Sequence, residues 1–126
     1  MPIVTSQDVV LARQTVRKLA QETGFGIVDQ TKLVTAISEL ARNAISYGGG
    51  GELQWERVSD NGKKGLRLTV ADRGPGIADL ELAMKDGWTS GSGLGMGLPG
   101  AKRLVNDFHI TTEVGEGTTV VVTKWK

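Results

Sequence analysis

Glycine is the residue that most constrains this chain, because it is both abundant and clustered. The chain has 18 glycines among 126 residues, about twice the share of an average protein. Residues 48–51 are four consecutive glycines, and six more lie within residues 87–100. The segments between these clusters carry regular hydrophobic patterns, which low-complexity disordered chains lack. The glycines therefore mark places where the backbone turns sharply or closely approaches another group.

Length and composition predict one domain with a single core. A chain of 126 residues buries roughly two-thirds of the surface that its unfolded form exposes. Fifteen Lys and Arg residues balance 14 Asp and Glu residues, which argues against nucleic-acid binding through bulk charge. The absence of cysteine excludes disulfides and thiolate zinc sites, and the single histidine disfavours a Ser-His-Asp triad. We treat residues 1–126 as one domain.

No segment predicts membrane insertion or export. No apolar run reaches the ~18 residues of a membrane span. Residues 1–5 lack the basic flank and apolar stretch of a signal peptide. We therefore expect a cytoplasmic protein that binds neither membranes nor nucleic acids.

Hydrophobic spacing predicts two long helices in the first half of the chain. Ser6 or Asp8 is the expected cap of the first helix, and the Gly-Phe-Gly of residues 24–26 ends it. Asp29 is the expected cap of the second helix, which runs to about Tyr47 and stops at the glycine run.

Strands are expected at residues 52–58 and 66–72, joined by Asn61-Gly62, a strong hairpin signal because both residues tolerate positive φ. A final hairpin is expected from residues 108–114 and 118–125. With a third helix before that hairpin, the pattern predicts an α/β two-layer sandwich. Its mostly antiparallel mixed sheet would carry three main helices on one face.

Glu39 and Asn43 are the first candidate functional pair. At positions i and i+4 they lie about 40° apart, on the flank of the second helix's apolar stripe. An amide oxygen there suits Mg²⁺, which usually keeps waters and phosphates as its other ligands. A carboxylate one turn away suits a general base. The spacing alone nevertheless favours an ordinary polar helix flank, because such pairs are common.

Asp72 ends a strand and precedes residues 73–76, Arg-Gly-Pro-Gly. It continues the parity of Val70, so its carboxylate is expected to face the helix-covered interior, where it needs a donor. The exocyclic amine of adenine would serve as that donor, and a strand-end Asx turn explains the pattern equally well. Thr118 shares parity with Val120, so its hydroxyl is also expected to face inward, toward Asp72.

The glycine-rich segment of residues 91–100 leads into a third helix near Leu98-Pro99, because proline suits the first helical position. Converging backbone N–H groups and a helix N-terminus favour phosphate. Residues 95–100 also fit Gly-x-Gly-x-x-Gly, but no strand immediately precedes them and too little chain follows for a dinucleotide fold. A flexible linker is the alternative, which the attached apolar helix disfavours.

Taken together, these motifs resemble the four boxes of the GHKL ATPase superfamily, in the family's order. The matching residues are Glu39-x-x-x-Asn43, then Asp72-x-Gly74-x-Gly76, then Gly93, Gly95 and Gly97, then Gly117-Thr118. Residues 25–30, 37–43 and 86–104 further resemble the serine/threonine kinases of the bacterial stressosome, which are sisters of the anti-sigma-factor kinases.

The resemblance implies a Bergerat-type fold that uses ATP and Mg²⁺. It implies that Glu39 is the general base for a protein hydroxyl and that Asn43 holds Mg²⁺. It implies that Asp72 accepts from the adenine amine, with Thr118 supporting it through water. Backbone approach to the base is implied at Gly74 and Gly76. The lid over the phosphates would comprise Gly91, Gly93, Leu94, Gly95 and Gly97.

The same resemblance implies partners. The substrates would be STAS-domain proteins of the RsbS and RsbR kind, within a large multi-protein complex. The kinase, once released, would activate a PP2C phosphatase of the RsbU kind. Two alternatives stay open: an anti-sigma-factor kinase that sequesters a sigma factor, and a docking module whose output is partner binding with little catalysis.

Overall fold

A computed structural model describes residues 1–77 and 97–126. The described helices are α1 (Ser6–Thr23), α2 (Ile27–Gly48) and α3 (Gly97–Arg103). The described strands are β1 (Pro2–Ile3), β2 (Gly51–Asp60), β3 (Lys63–Asp72), β4 (Asp107–Glu113) and β5 (Gly117–Trp125). The predicted elements are therefore present, with ends that differ by a few residues. Residues 79–84, for which the sequence allows one further helical turn, lie outside the described part.

The strands form one sheet in the order β1-β2-β3-β5-β4. Every pairing among these described strands is antiparallel. Asn61 and Gly62 join β2 to β3 with φ values of 51° and 81°, the positive-φ pair that a tight hairpin needs. The hairpin sets a register in which Gly51 lies opposite Asp72. This register brings the start of β2, and with it the end of α2, beside Asp72.

The N-terminus of α1 is capped one residue earlier than expected. Thr5, rather than Ser6 or Asp8, is the N-cap, and its hydroxyl accepts from the Asp8 N–H. Asp8 closes a capping box by accepting from the backbone N–H groups of Val4 and Thr5, at 2.9 and 3.1 Å. These two backbone hydrogen bonds lower the pKa of Asp8 below its ordinary value.

The predicted cap of α2 is wrong. Gly26 is the N-cap and makes no side-chain hydrogen bond there, so Asp29 lies within the first turn. The Asp29 carboxylate instead lies 3.6 Å from the ammonium of Lys124, which β5 carries into the helix-covered side. At the other end Gly49 adopts a left-handed conformation, with φ of 70°, and stops the helix as the glycine run predicted.

The helices cover one face of the sheet and enclose a single hydrophobic cluster. α1 and α2 pack against each other and against the sheet, and α3 packs on α2. The largest fully buried side chains come from α1, α2 and four of the strands: Ile3, Val16, Leu33, Ile37, Leu40, Leu53, Leu66, Leu68 and Val122. The two-layer sandwich is therefore confirmed. None of the described helices is long and apolar enough to cross a membrane.

Candidate functional site

Helix α2 positions the first candidate pair. Its buried stripe includes Leu33, Ile37 and Leu40, while Glu39 and Asn43 are partly exposed on the flank of that stripe. The Glu39 side chain is 17% exposed. The predicted location at the rim of the core is confirmed, because both side chains lie at the edge of the packed face.

The described residues make few polar contacts with these two side chains. Arg42 Nη1 lies 3.5 Å from Glu39 Oε1, and the Arg42 side chain is 57% exposed. Such a long, solvent-exposed ion pair contributes little. The Asn43 amide makes no hydrogen bond to any residue that the structure describes. Both groups therefore keep oxygen atoms available to a ligand.

The Asp72 carboxylate lies against the last turn of α2. Gly48 ends the helix there, and a side chain at Gly48 would overlap the carboxylate of Asp72. The inward direction expected from strand parity is therefore confirmed. This contact also explains why the helix ends in glycine, since any larger residue would displace Asp72.

Asp72 Oδ1 accepts two backbone hydrogen bonds. One comes from the Gly74 N–H at 2.9 Å, which is the Asx turn considered above, and the other from the Thr118 N–H at 3.3 Å. Asp72 Oδ2 accepts no hydrogen bond from the described residues. An ionised carboxylate has about four lone-pair positions. Asp72 thus forms the turn and retains an acceptor, so the two explanations of this residue are compatible.

Close contacts within the protein account for three glycines near Asp72. A side chain at Gly74 would overlap the backbone of Gly48, and one at Gly76 would overlap the carbonyl of Glu113. A side chain at Gly117 would overlap the carbonyl of Asp72. Gly76 and Gly117 also have positive φ, 77° and 122°. These glycines pack the loop after β3 against α2 and the β4–β5 turn; their approach to a base stays a prediction.

Thr118 contacts Asp72 through its backbone, and its hydroxyl has another partner. The hydroxyls of Thr118 and Thr112 are 2.9 Å apart, because these residues face each other across β4 and β5. Thr112 Oγ1 also accepts from the Ile77 N–H at 2.8 Å. Sequence reasoning missed Thr112. The alternation of Phe108, Ile110 and Thr112 on one face of β4 was the available signal.

The glycine-rich segment is only partly described. Gly97 begins α3 with φ of 54°, and α3 packs on α2, so this end of the segment lies next to the helix of Glu39 and Asn43. The candidates Gly91, Gly93, Leu94 and Gly95 lie outside the described residues. Their role as a phosphate lid stays a prediction.

Comparison with known protein families gives one family for most of the chain. Residues 28–126 match HATPase_c, described as the histidine kinase-, DNA gyrase B- and HSP90-like ATPase. The matched range includes all of α2 except its first residue, the whole β2–β3 hairpin and every candidate residue.

Two named relatives align over nearly their whole length. The serine/threonine-protein kinase RsbT of Bacillus subtilis (strain 168) is 50% identical over 123 residues, which cover 98% of this chain and 92% of that protein. An anti-sigma F factor of Geobacillus sp. (strain WCH70) is 30% identical over 127 residues, covering 95% of this chain and 86% of that protein.

Solved structures share the fold. The structure of the RsbU and RsbW domains of a Mycobacterium tuberculosis protein superposes with a TM-score of 0.68 at 24% identity, covering all of this chain and 32% of that one. The mycobacterial sensor histidine kinase MprB superposes with a TM-score of 0.61 at 19% identity, covering 99% of this chain and 96% of that one.

Proposed function

This chain belongs to the family of histidine kinase-, DNA gyrase B- and HSP90-like ATPases and, within it, to the serine/threonine protein kinases, and from that premise we propose its reaction. It transfers the γ-phosphoryl group of Mg-ATP to a serine or threonine of a STAS-domain protein of the RsbS or RsbR kind. In the same partner switch it binds and activates a PP2C phosphatase of the RsbU kind. Both activities would take place in the cytoplasm.

The observation that carries this proposal is the order of the site residues along α2. Asp72 touches Gly48 at the end of the helix. Asn43 lies five residues before Gly48, about 7.5 Å along the axis, and Glu39 nine residues before it, about 13.5 Å. An ATP molecule with its purine at Asp72 would run along the helix toward Asn43 and Glu39. Starting from the C-terminal end of α2, Asp72, Asn43 and Glu39 therefore follow the order of the purine, the phosphates and the acceptor hydroxyl.

Magnesium fits the donor set of the helix flank. The described residues hold no group of three or more His, Cys, Asp or Glu side chains that could bind a metal alone. A cation at Asn43 would therefore depend on the nucleotide for its other ligands, which is how Mg²⁺ is commonly bound in sites that use phosphates. The Asn43 amide, which has no hydrogen-bond partner among the described residues, would supply the protein oxygen, and the ion would neutralise charge on the phosphates.

Glu39 would act as the general base for the acceptor hydroxyl. The acceptor hydroxyl oxygen forms a bond to the γ-phosphorus, the bond to the β–γ bridging oxygen breaks, and ADP leaves with that electron pair. Glu39 takes the hydroxyl proton. Its weak pairing with Arg42 leaves the carboxylate free to turn toward an incoming hydroxyl. Most of the rate enhancement would come from positioning and charge neutralisation.

Label transfer tests the reaction. The protein is incubated with γ-labelled ATP, Mg²⁺ and a purified STAS-domain protein of the RsbS kind. We expect the wild type to label the acceptor and Asn43→Ala to lose transfer. Gln14→Ala, which removes an exposed amide from α1, is the matched control and should transfer normally. Absence of transfer by the wild type, or undiminished transfer by Asn43→Ala, would contradict the proposal.

An anti-sigma-factor kinase is the second candidate, favoured by the 30% identity to the anti-sigma F factor of Geobacillus. The ATP site serves both candidates equally, so the partner decides between them. A pull-down with a STAS-domain protein, the linker of an RsbU-type phosphatase and a sigma factor separates them. We expect retention of the first two partners; retention of the sigma factor alone would favour the second candidate.

A docking module with little catalysis is the third candidate. Glu39→Ala separates docking from phosphorylation, because the substitution removes the acid and leaves the surface otherwise intact. We expect the variant to lose phosphorylation and still activate the phosphatase. If neither the variant nor the wild type phosphorylates and both activate the phosphatase, only the docking function remains.

A further inference from the structure

The N-terminal turn of α2 exposes apolar side chains. Ile27 is 67% exposed and Val28 64% exposed, although α2 buries most of its other large apolar residues. β-Branched residues are mediocre helix formers, and neither residue belongs to the hydrophobic core. The fold therefore gains little from two exposed apolar residues at this position.

Val28 is aligned with Glu39. Val28, Lys32, Thr35 and Glu39 occupy positions i, i+4, i+7 and i+11, which fall within about 60° of one line along a helix. We name these four residues the acceptor stripe. Val28 and Lys32 are exposed, and Thr35 and Glu39 are partly exposed. The acceptor stripe thus joins the exposed apolar turn to the proposed general base.

From Glu39, the acceptor stripe extends toward the N-terminus of α2, away from the nucleotide site. Asn43 and Gly48 lie on the C-terminal side of Glu39, whereas Val28 lies about 16.5 Å toward the N-terminus. An acceptor hydroxyl must reach the far side of the γ-phosphate from the purine. A protein that presents this hydroxyl to Glu39 therefore extends over the N-terminal half of α2.

Charge on the stripe identifies the chemistry of its partner. Lys32 makes no ion pair with the described residues, whereas Asp29, nearby on the helix, is paired with Lys124. The stripe consequently offers one positive charge, which no described residue pairs, between an apolar turn and the carboxylate. An acidic side chain complements Lys32, and an apolar one complements Val28.

We infer that the acceptor stripe is the docking surface for the protein that receives the phosphoryl group. That protein places an apolar side chain on Val28 and an acidic side chain beside Lys32, so that its hydroxyl meets Glu39. The inference rests on the proposed kinase function and adds the surface that selects the acceptor.

Steady-state kinetics test the inference with the STAS-domain acceptor used above. At saturating Mg-ATP, Val28→Ser and Lys32→Glu should each raise the KM for the acceptor about five- to tenfold. The KM for ATP and the kcat should stay within about twofold of wild type. Leu11→Ser, which changes a 45% exposed apolar residue on α1, is the matched control and should change neither constant.

The outcomes separate docking from catalysis. If the wild type transfers phosphate and both variants keep the wild-type acceptor KM, the docking inference is overturned and the kinase function stands. A parallel rise in the KM for ATP would overturn it too, because the substitutions would then disturb the whole site. If the wild type binds the acceptor without transfer and both variants bind it five- to tenfold more weakly, docking is supported and the kinase function fails.

Discussion

The two halves of the site are held in different ways. The strand-end corner, made of Asp72, Gly74, Thr112 and Thr118, is tied by hydrogen bonds of 2.8–3.3 Å and by glycine contacts to α2. The helix flank, made of Glu39 and Asn43, has one 3.5 Å ion pair to an exposed arginine and no amide hydrogen bond to the described residues.

Because of this difference, substitutions in the two halves should have different effects on stability and function. In the corner the fold itself orients the carboxylate, so a substitution there disturbs both the fold and the binding of the purine. On the flank the backbone of α2 fixes the positions of Glu39 and Asn43, while their side-chain oxygens have few partners among the described residues and can bind a ligand. A substitution there should change the chemistry and leave stability unchanged. The predictions below test that separation.

Glu39→Gln should give the largest effect. The amide cannot take the acceptor proton, so phosphoryl transfer should fall by about 10²- to 10⁴-fold. The free energy of unfolding should stay within about 0.5 kcal/mol of wild type, as for surface substitutions. Label transfer and urea unfolding measure the two quantities. A marked loss of stability would break the distinction between flank and corner.

Asp72→Asn should affect binding and stability together. Replacing one carboxylate oxygen by an NH₂ group places a donor against the purine amine, so the affinity for ATP should fall at least about tenfold, which corresponds to about 1.4 kcal/mol. The weaker acceptor for the Gly74 and Thr118 N–H groups should also lower the unfolding free energy by about 1 kcal/mol. Weaker ATP binding with unchanged stability would show that Asp72, like the residues of the helix flank, affects the ligand without stabilising the fold.

Thr112→Val should lower stability by about 1–2 kcal/mol, because the Ile77 N–H loses its acceptor and the Thr118 hydroxyl loses its partner. Thr111→Val is the matched control, since Thr111 is exposed on the opposite face of β4. Urea unfolding of both variants measures the difference. Equal stability of the two variants would mean that the hydroxyl pair does not hold the corner.

Asp8 should give the smallest effect and has no role in the site. Like Asp72, its carboxylate accepts two backbone N–H bonds, and they lower its pKa. A depressed folded-state pKa means that the ionised group contributes stability above its unfolded pKa of about 3.9. That contribution is lost as the pH falls through the folded value.

The advantage of wild type over Asp8→Asn should therefore be full above about pH 5 and vanish in stronger acid. Unfolding measured from pH 6 to pH 2.5 gives this curve. ATP affinity at neutral pH should be the same in both proteins. A loss of ATP binding by Asp8→Asn would show that backbone-bonded carboxylates outside the corner also control the site.

Local signals in the sequence predicted most of the fold. Asn61-Gly62 and the glycine run of residues 48–51 ended elements where expected, because positive φ is a property of single residues. The inward direction of Asp72 followed from strand parity. The cap of α2 was misplaced because the helix begins earlier, with the Gln30 N–H donating to the Gly26 carbonyl, and Asp29 instead pairs with Lys124, 95 positions later.

The site was predicted less completely, since its contacts depend on register. Alternation along β4 places Thr112 on the inner face, but its partner Thr118 follows only from the pairing of β4 with β5. Residue 74 must be glycine because this loop residue contacts the backbone of Gly48 at the end of α2. The family resemblance identified Gly74 as important, whereas the structure supplied the neighbour that requires glycine there.

Calorimetric titration of the purified protein with ATP, with and without Mg²⁺, tests the central claim most directly. The account predicts saturable binding of one nucleotide per chain that is tighter with Mg²⁺, and loss of that Mg²⁺ dependence in Asn43→Ala. Absence of saturable heat from Mg-ATP at millimolar concentration would contradict the assignment of α2 and Asp72 as a nucleotide site.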